Sequence, residues 1–229
     1  NMFPGTVDHN MVSFIDFAPT VLEMAGLGKP DEMQGRTFIS TLDVEKGAYV
    51  YGTSDRVDEA YEMARTIRSP KYRYVRNYLP FTPLLQPNFY SDQSAIMQEL
   101  EKFRNNANLT PAQKTLFLPE RTPEELYDVE NDPYEVNNLA GNPEYQEVLQ
   151  EMRAKLQQEV LRTYDTGFMP EPEMNRLSKK QTPYELARNQ EVFPLPDILS
   201  ACNLMLEKEP DTEHILELIE MKDKLKVMQ

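Results

Sequence analysis

The densest charged cluster in the chain is Ser54-Asp55-Arg56-Val57-Asp58-Glu59. A guanidinium such as that of Arg56 can grip a sulfate or carboxylate through two parallel hydrogen bonds. The neighbouring carboxylates of Asp55, Asp58 and Glu59 can orient it or accept hydroxyls from a sugar. The cluster follows residues 48–53 (AYVYGT), which read as a strand. A loop leaving a strand end is a common place for a site. The competing reading is a solvated turn whose Arg–carboxylate pair has little energetic consequence, and composition alone favours it.

Arg65, Arg68, Lys71, Arg73 and Arg76 form a local basic patch in an acidic chain. Strand alternation puts Arg73 and Arg76 on opposite faces, so they read as solvated strand residues and not as one binding strip. Cys202, the single cysteine, sits in a helical stretch and reads as a small buried hydrophobe. His9 and His214 read as loop and surface residues. The sequence holds no Gly-rich phosphate loop, no G-x-S-x-G, no H-E-x-x-H and no EF-hand loop.

The elements that would position these residues follow from periodicity and breakers. Ser13 and Asp16 form a start signal of the capping-box type, and Phe14, Phe17, Val21, Leu22 and Ala25 follow at helical spacing until Gly26. That pattern predicts an amphipathic helix, regular from about Ala18, packed on a core. Residues 63–68 and 71–78 read as strands joined by a Ser69-Pro70 turn. Residues 79–93, with Pro80, Pro83 and Pro87, read as an ordered surface wrap; 94–106 and the stretch from Pro111 are helical in composition. Residues 124–129 predict a strand running into an Asn131-Asp132-Pro133 turn. Tyr145, Val148, Leu149, Met152, Leu156, Val160 and Leu161 mark one stripe of a helix over 144–164. Residues 165–182 read as a linker. Beyond it, Pro194, Pro196 and Pro210 interrupt short helices, the last over 211–228, in the manner of stacked helix pairs.

Composition narrows the function classes. Of 229 residues, 24 are Lys or Arg and 38 are Asp or Glu, a net charge of −14. Such an acid excess argues against nucleic acid or an anionic membrane as partner. The hydrophobic fraction of 40% suffices for a packed core. No apolar run approaches the roughly 20 residues that span a bilayer. A lone cysteine excludes an intrachain disulfide and a cysteine-built zinc cage. Beginning at Asn1 without a charged and apolar leader, the chain reads as a portion of something longer.

Two stretches carry a resemblance. Residues 12–26, VSFIDFAPTVLEMAG with Gly35 after them, resemble a segment of the sulfatases, and residues 125–140, ELYDVENDPYEVNNLA, resemble a segment near the end of the same enzymes. The middle, from Gly52 to Tyr90, is similar to the branch that includes heparan N-sulfatase-like enzymes. The likeness extends over residues 1–175, and the tail from Thr182 looks like the extension of some microbial sulfatases that leads into helical repeats.

The resemblance implies an alkaline-phosphatase-like α/β fold whose C-terminal subdomain is an antiparallel sheet with packed helices, α+β within this chain. It divides the chain into the end of the catalytic domain (1–47), the C-terminal subdomain (48–175) and a helical extension (176–229). It also implies a formylglycine nucleophile made from a C-x-P-x-R or S-x-P-x-R motif, with a calcium ion held by Asp and Asn ligands. Cys202, followed by Asn-Leu-Met-Leu, does not fit that motif, and Ser69-Pro-Lys-Tyr-Arg has the wrong order. Nucleophile and metal ligands are therefore expected upstream, with the N-terminal catalytic portion as partner and a sulfated carbohydrate as substrate. Asp55, Arg56, Asp58 and Glu59 are the candidate substrate-rim residues. Export from the cytoplasm is the implied location. A phosphodiesterase or phosphatase of the same superfamily, and an interaction module built on the helical tail, are the alternatives. Loss of a large sheet partner would leave an apolar patch on residues 12–26 exposed.

Overall fold

Runs of aromatic and β-branched residues bounded by turn formers make one four-stranded antiparallel sheet in the computed structural model, which describes residues 5, 7, 9–39, 49–104, 108–207, 213 and 216. Its strands are β1 (Val50–Val57), β2 (Ala60–Arg68), β3 (Tyr72–Asn77) and β4 (Glu124–Asp128), in the order β1-β2-β3-β4. Strand β1 runs four residues beyond the expected Thr53. Residues 54–57 of the charged cluster are thus a strand arm, and only Asp58 and Glu59 form the turn. Asp58 adopts φ 51°, a left-handed conformation that Asp tolerates better than most residues. At the Ser69-Pro70 turn, Ser69 N–H donates to the Tyr72 carbonyl at 2.8 Å, and Tyr78 N–H to Met63 at 2.8 Å keeps the same register. Asn77 N–H to Pro123 and Val129 N–H to Lys71, both 2.9 Å, fix β4 against β3. The chain is α+β.

The described residues group into two units, one from Asn1–Thr53, Arg65–Val75 and Glu124–Leu156, the other from Ser54–Ala64, Arg76–Pro123 and Gln157–Gln229. In the first, Ile67, Tyr74 and Leu126 of the sheet meet Leu149, Met152 and Leu156 of the helix Gln146–Thr163, all nearly or fully buried. The α-helices are α1 (Phe17–Met24), α2 (Phe89–Asp92), α3 (Ala95–Phe103), α4 (Pro111–Thr115), α5 (Gln146–Thr163), α6 (Glu171–Leu177), α7 (Pro183–Arg188) and α8 (Leu195–Leu204). The Glu124 carboxylate accepts Arg153 Nε and Nη2, each at 2.8 Å, and the Tyr74 hydroxyl at 2.5 Å. Helix α5 is introduced by a 3₁₀ turn over Pro143–Tyr145 whose Asn142 cap accepts Glu144 N–H.

Also in the first unit, a 3₁₀ turn over Phe14–Asp16 leads into α1. Asp16 accepts Ser13 N–H at 2.8 Å and Arg36 N–H at 3.0 Å. The Thr20 hydroxyl donates to the Asp16 carbonyl at 2.6 Å and accepts Phe38 N–H at 3.3 Å. Gly35 passes so close that an added Cβ would collide with the Ile15 carbonyl. The expected core packing of α1 is inverted here. Asp16, Pro19 and Thr20 are buried, whereas Phe14, Val21 and Met24 face solvent at 90%, 60% and 65% exposure. The buried faces are those that bind residues 35–38, so polar pinning, not the apolar stripe, orients the helix in this chain. An apolar surface is left open, as anticipated for residues 12–26.

In the second unit the stretch expected to be a linker is structured. A 3₁₀ turn over Thr166–Phe168 buries Phe168 and Met169, and the Phe168 ring meets Tyr78 edge-on at 5.0 Å. Pro172 and Pro196 occupy the first turns of α6 and α8, where a missing N–H costs nothing, so they start helices instead of breaking them. The expected helix over 211–228 lies outside the described residues apart from Glu213 and Leu216, both helical.

Candidate functional site

The hairpin tip, residues 54–62, meets the Pro-rich wrap that follows β3, and both belong to the second unit. Arg121 ties the wrap down. Its N–H donates to the Pro80 carbonyl at 2.7 Å, Nη2 to the Thr82 hydroxyl at 3.0 Å and Nη1 to Glu62 at 3.1 Å. Glu62 also accepts the Ser54 hydroxyl at 2.7 Å. Strand β2 outruns β3 at this end, and the Gln86 amide takes over, accepting Tyr61 N–H at 3.0 Å and donating to the Tyr61 carbonyl at 2.9 Å. Asn88, 7% exposed, caps α2 by accepting Tyr90 and Ser91 N–H and donates to the Val57 carbonyl at 3.1 Å.

Between hairpin and wrap lies a cavity of about 290 Å³. Of the four residues singled out in the sequence, Asp55 and Asp58 line it, while Arg56 and Glu59 do not. Partners, and not alternation, account for the split, since consecutive Ser54 and Asp55 both line it. Arg56 pairs with Glu171 at 2.9 Å, its Nη1 donating to the Asp58 carbonyl at 3.1 Å. The hydrogen bond that Arg56 donates to the Glu171 carboxylate pushes the guanidinium above its ordinary pKa, so it stays a cation. Both side chains of this pair are about half exposed, which keeps its energetic weight small.

Glu62, Gln86, Asn88 and Tyr90 complete the site and were not singled out from sequence. One signal was available: Asn88, with Asp92 four residues later, is a helix-cap pattern inside a Pro-rich segment. The others come together only through pairing of distant strands.

The basic patch needs correction. Arg65 is fully buried and Arg76 is 7% exposed, so neither is a solvated strand residue. Arg76 Nη2 donates to the Asn203 carbonyl at 3.4 Å, and Arg73 pairs with Glu135 at 2.6 Å. Strand alternation predicts which face a cation takes, but partners from other elements decide whether that face is wet. Arg68 is exposed, and so is His9. Cys202 is partly buried in α8.

Chemically, the cavity offers acceptor oxygens, a phenol ring and aliphatic walls, which suit binding and orientation of a polyol. Among the described residues no group of three or more His, Cys, Asp or Glu side chains is placed to hold a metal ion. Nor is any of their helices long and apolar enough to cross a membrane.

A family profile described as N-sulphoglucosamine sulphohydrolase, C-terminal, matches residues 1–84. The chain is 34% identical over 169 residues to an ulvan-active sulfatase of Formosa agariphila, covering 74% of this chain and 28% of that protein. It is 28% identical over 177 residues to the N-sulphoglucosamine sulphohydrolase of Homo sapiens, covering 70% of this chain and 34% of that one. A sulfatase crystal structure from Bacteroides thetaiotaomicron is similar with a TM-score of 0.47 and 25% identity, over 70% of this chain and 27% of that one. The chain thus spans about a third or less of the curated relatives it matches. It belongs to the sulfatase family and corresponds to the C-terminal part of those enzymes.

Proposed function

We propose that the chain is the substrate-facing C-terminal portion of an enzyme that hydrolyses sulfate esters or sulfamates on a glycan. The observation that carries this reading is the 34% identity over 169 residues to a sulfatase named as ulvan-active. In this reading residues 1–47 end the catalytic domain, 48–175 form the C-terminal subdomain and 176–229 extend it. The nucleophile, a formylglycine, and a calcium ion that would neutralise sulfate oxygens belong to the N-terminal catalytic portion. The enzyme would act outside the cytoplasm.

The work left to this chain is selection of the glycan. Arg56 sits at the hairpin with its side chain half exposed and bonded to Glu171 through Nε alone, and a sulfate or carboxylate in place of Glu171 could engage its planar fork of donors. Asp55, Asp58 and Glu59 supply acceptors for sugar hydroxyls, and matched polar groups discriminate strongly against sugars that lack them.

The test is sulfate release by the parent protein from sulfated oligosaccharides, read as KM and kcat. Arg56→Lys, which keeps the charge and loses the fork, is expected to raise KM about tenfold with little change in kcat. Cleavage of phosphodiesters to a phosphomonoester and an alcohol, with no sulfate released from any glycan, would overturn the reading in favour of the phosphodiesterase branch.

A further inference from the structure

Guanidinium–carboxylate pairs in this chain are of two kinds. Arg153 grips Glu124 with Nε and Nη2, each at 2.8 Å, and Arg176 grips Glu173 with the same two atoms at 2.8 and 2.7 Å. Two parallel bonds use one full edge of the guanidinium fork. Arg56 and Glu171, 115 positions apart, are joined by Nε alone at 2.9 Å, and Nη1 is spent on the Asp58 carbonyl at 3.1 Å. Among the described residues no acceptor takes Arg56 Nη2, so half of that edge is unused.

Such a contact is easily exchanged. Side chains that are 49% and 48% exposed hold each other weakly, and a displaced Glu171 carboxylate returns to water at little cost. Glu171 is nonetheless set in place before any ligand arrives. Pro170 and Pro172 flank it and fix φ on both sides, and it acts on the Arg56 cation more strongly than Asp58 does. A sugar hydroxyl in its position would exchange a charged hydrogen bond for a weaker one and lose the attraction between opposite charges. A sulfate or a uronate carboxylate brings two oxygens to Nε and Nη2 and gains a bond that Glu171 does not make.

We propose that Glu171 is a specificity-determining residue, an internal competitor that occupies the anion-binding edge of Arg56 and yields it to glycan groups presenting two anionic oxygens. This rests on the glycan reading above and deepens it, because Arg56 binds the anion and Glu171 sets which groups displace it.

The experiment follows the parent protein with sulfated tetrasaccharides of ulvan and of heparan, by calorimetric titration and by sulfate release. Glu171→Gln, which removes the competing charge and keeps the shape, is expected to lower Kd and KM about three- to fivefold with kcat unchanged. A side chain that merely braced the fold would not tighten binding when altered. In an Arg56→Gln background the same substitution should change nothing, since the edge it competes for is gone. Both side chains are about half exposed, so their exchange leaves the fold unperturbed, which circular dichroism checks. An unchanged or raised Kd in Glu171→Gln overturns the proposal, because Glu171 then holds Arg56 ready and does not block it. An equal gain in the Arg56→Gln background overturns it as well, as the general effect of one charge lost. Failure of both tetrasaccharides to bind the Glu171→Gln protein is a third overturning result. Because titration is read without turnover, these outcomes are separable from failure of the sulfatase reading, which shows as absence of sulfate release.

Discussion

Residues 13–38 and residues 124–156 both tie their backbone together through carboxylate, amide and hydroxyl side chains, yet they dispose of their apolar surface in opposite ways. In the later stretch Asp128 accepts the N–H groups of Glu130 and Asn131, and Asp132 accepts that of Asn137. Asn138 then closes the outer edge of β4, accepting Leu126 N–H and donating to the Glu124 carbonyl, both at 3.0 Å. An open strand edge is an invitation to aggregation, and here the Asn138 side chain covers it together with Leu139 N–H, which donates to the Leu126 carbonyl at 2.8 Å. In the earlier stretch Asp16 and Thr20 do the corresponding work on residues 36 and 38. The difference lies in Leu126, Met152 and Leu156, all 2% exposed or less, against Phe14 and Val21, at 90% and 60%. Polar pinning sets the path of the backbone in both stretches, and apolar burial supplies stability in only one of them.

The sharpest way to break this contrast is a pair of truncations. Leu156→Ala is expected to lower the unfolding free energy of this chain by about 2–5 kcal/mol through the cavity it leaves. Phe14→Ala, which removes a side chain already in water, should change it by no more than about 0.5 kcal/mol. Urea denaturation followed by circular dichroism reads both, and similar losses from the two would show that the stretches are not so different. A smaller and more local effect comes from Gly35→Ala, whose methyl has no room beside the Ile15 carbonyl. Amide exchange in α1 should speed up by at least about tenfold while that of α5 stays as it was. Parallel acceleration in α5 would mean that the pinned segment and the core open together.

How these regions could be read from the sequence follows the same division. Helix α5 and β4 were legible because local periodicity and burial agree there, and the Ser13/Asp16 start signal was legible because capping is a local code. The length of β1 was not. Ser54, Asp55 and Arg56 are poor strand formers whose conformation is imposed by pairing with β2. The proline residues of 165–182 misled for a related reason, since a proline at the first turn of a helix and one that ends a helix look alike until the neighbouring core is known. The cavity was half legible. Asp55 and Asp58 stood out by charge, whereas Tyr90 and Asn88 join them from thirty or more residues away. Buried Arg65 and Arg76 show the same limit, for alternation alone cannot say what covers a face.

The gentlest test concerns acid, and it separates a carboxylate that pins from one that merely sits on the surface. The Asp128 carboxyl lies below its ordinary pKa, chiefly because the Asn131 side-chain amide donates to it at 2.9 Å, with the Glu130 and Asn131 N–H groups and Lys71 at 3.8 Å assisting. A carboxyl whose folded pKa is depressed releases its proton more readily in the folded state. Its contribution is therefore present above the unfolded carboxylate value of about 3.9 and is lost as pH falls through the lower folded value. Asp128→Asn should accordingly reduce Tm at pH 7 and at pH 5, and the gap to the unaltered chain should narrow between pH 4 and pH 3. Thermal melts of both proteins across that range read it directly. A gap that stays constant down to pH 3 would mean that Asp128 acts through shape alone, and the charge would then have no part in holding the turn.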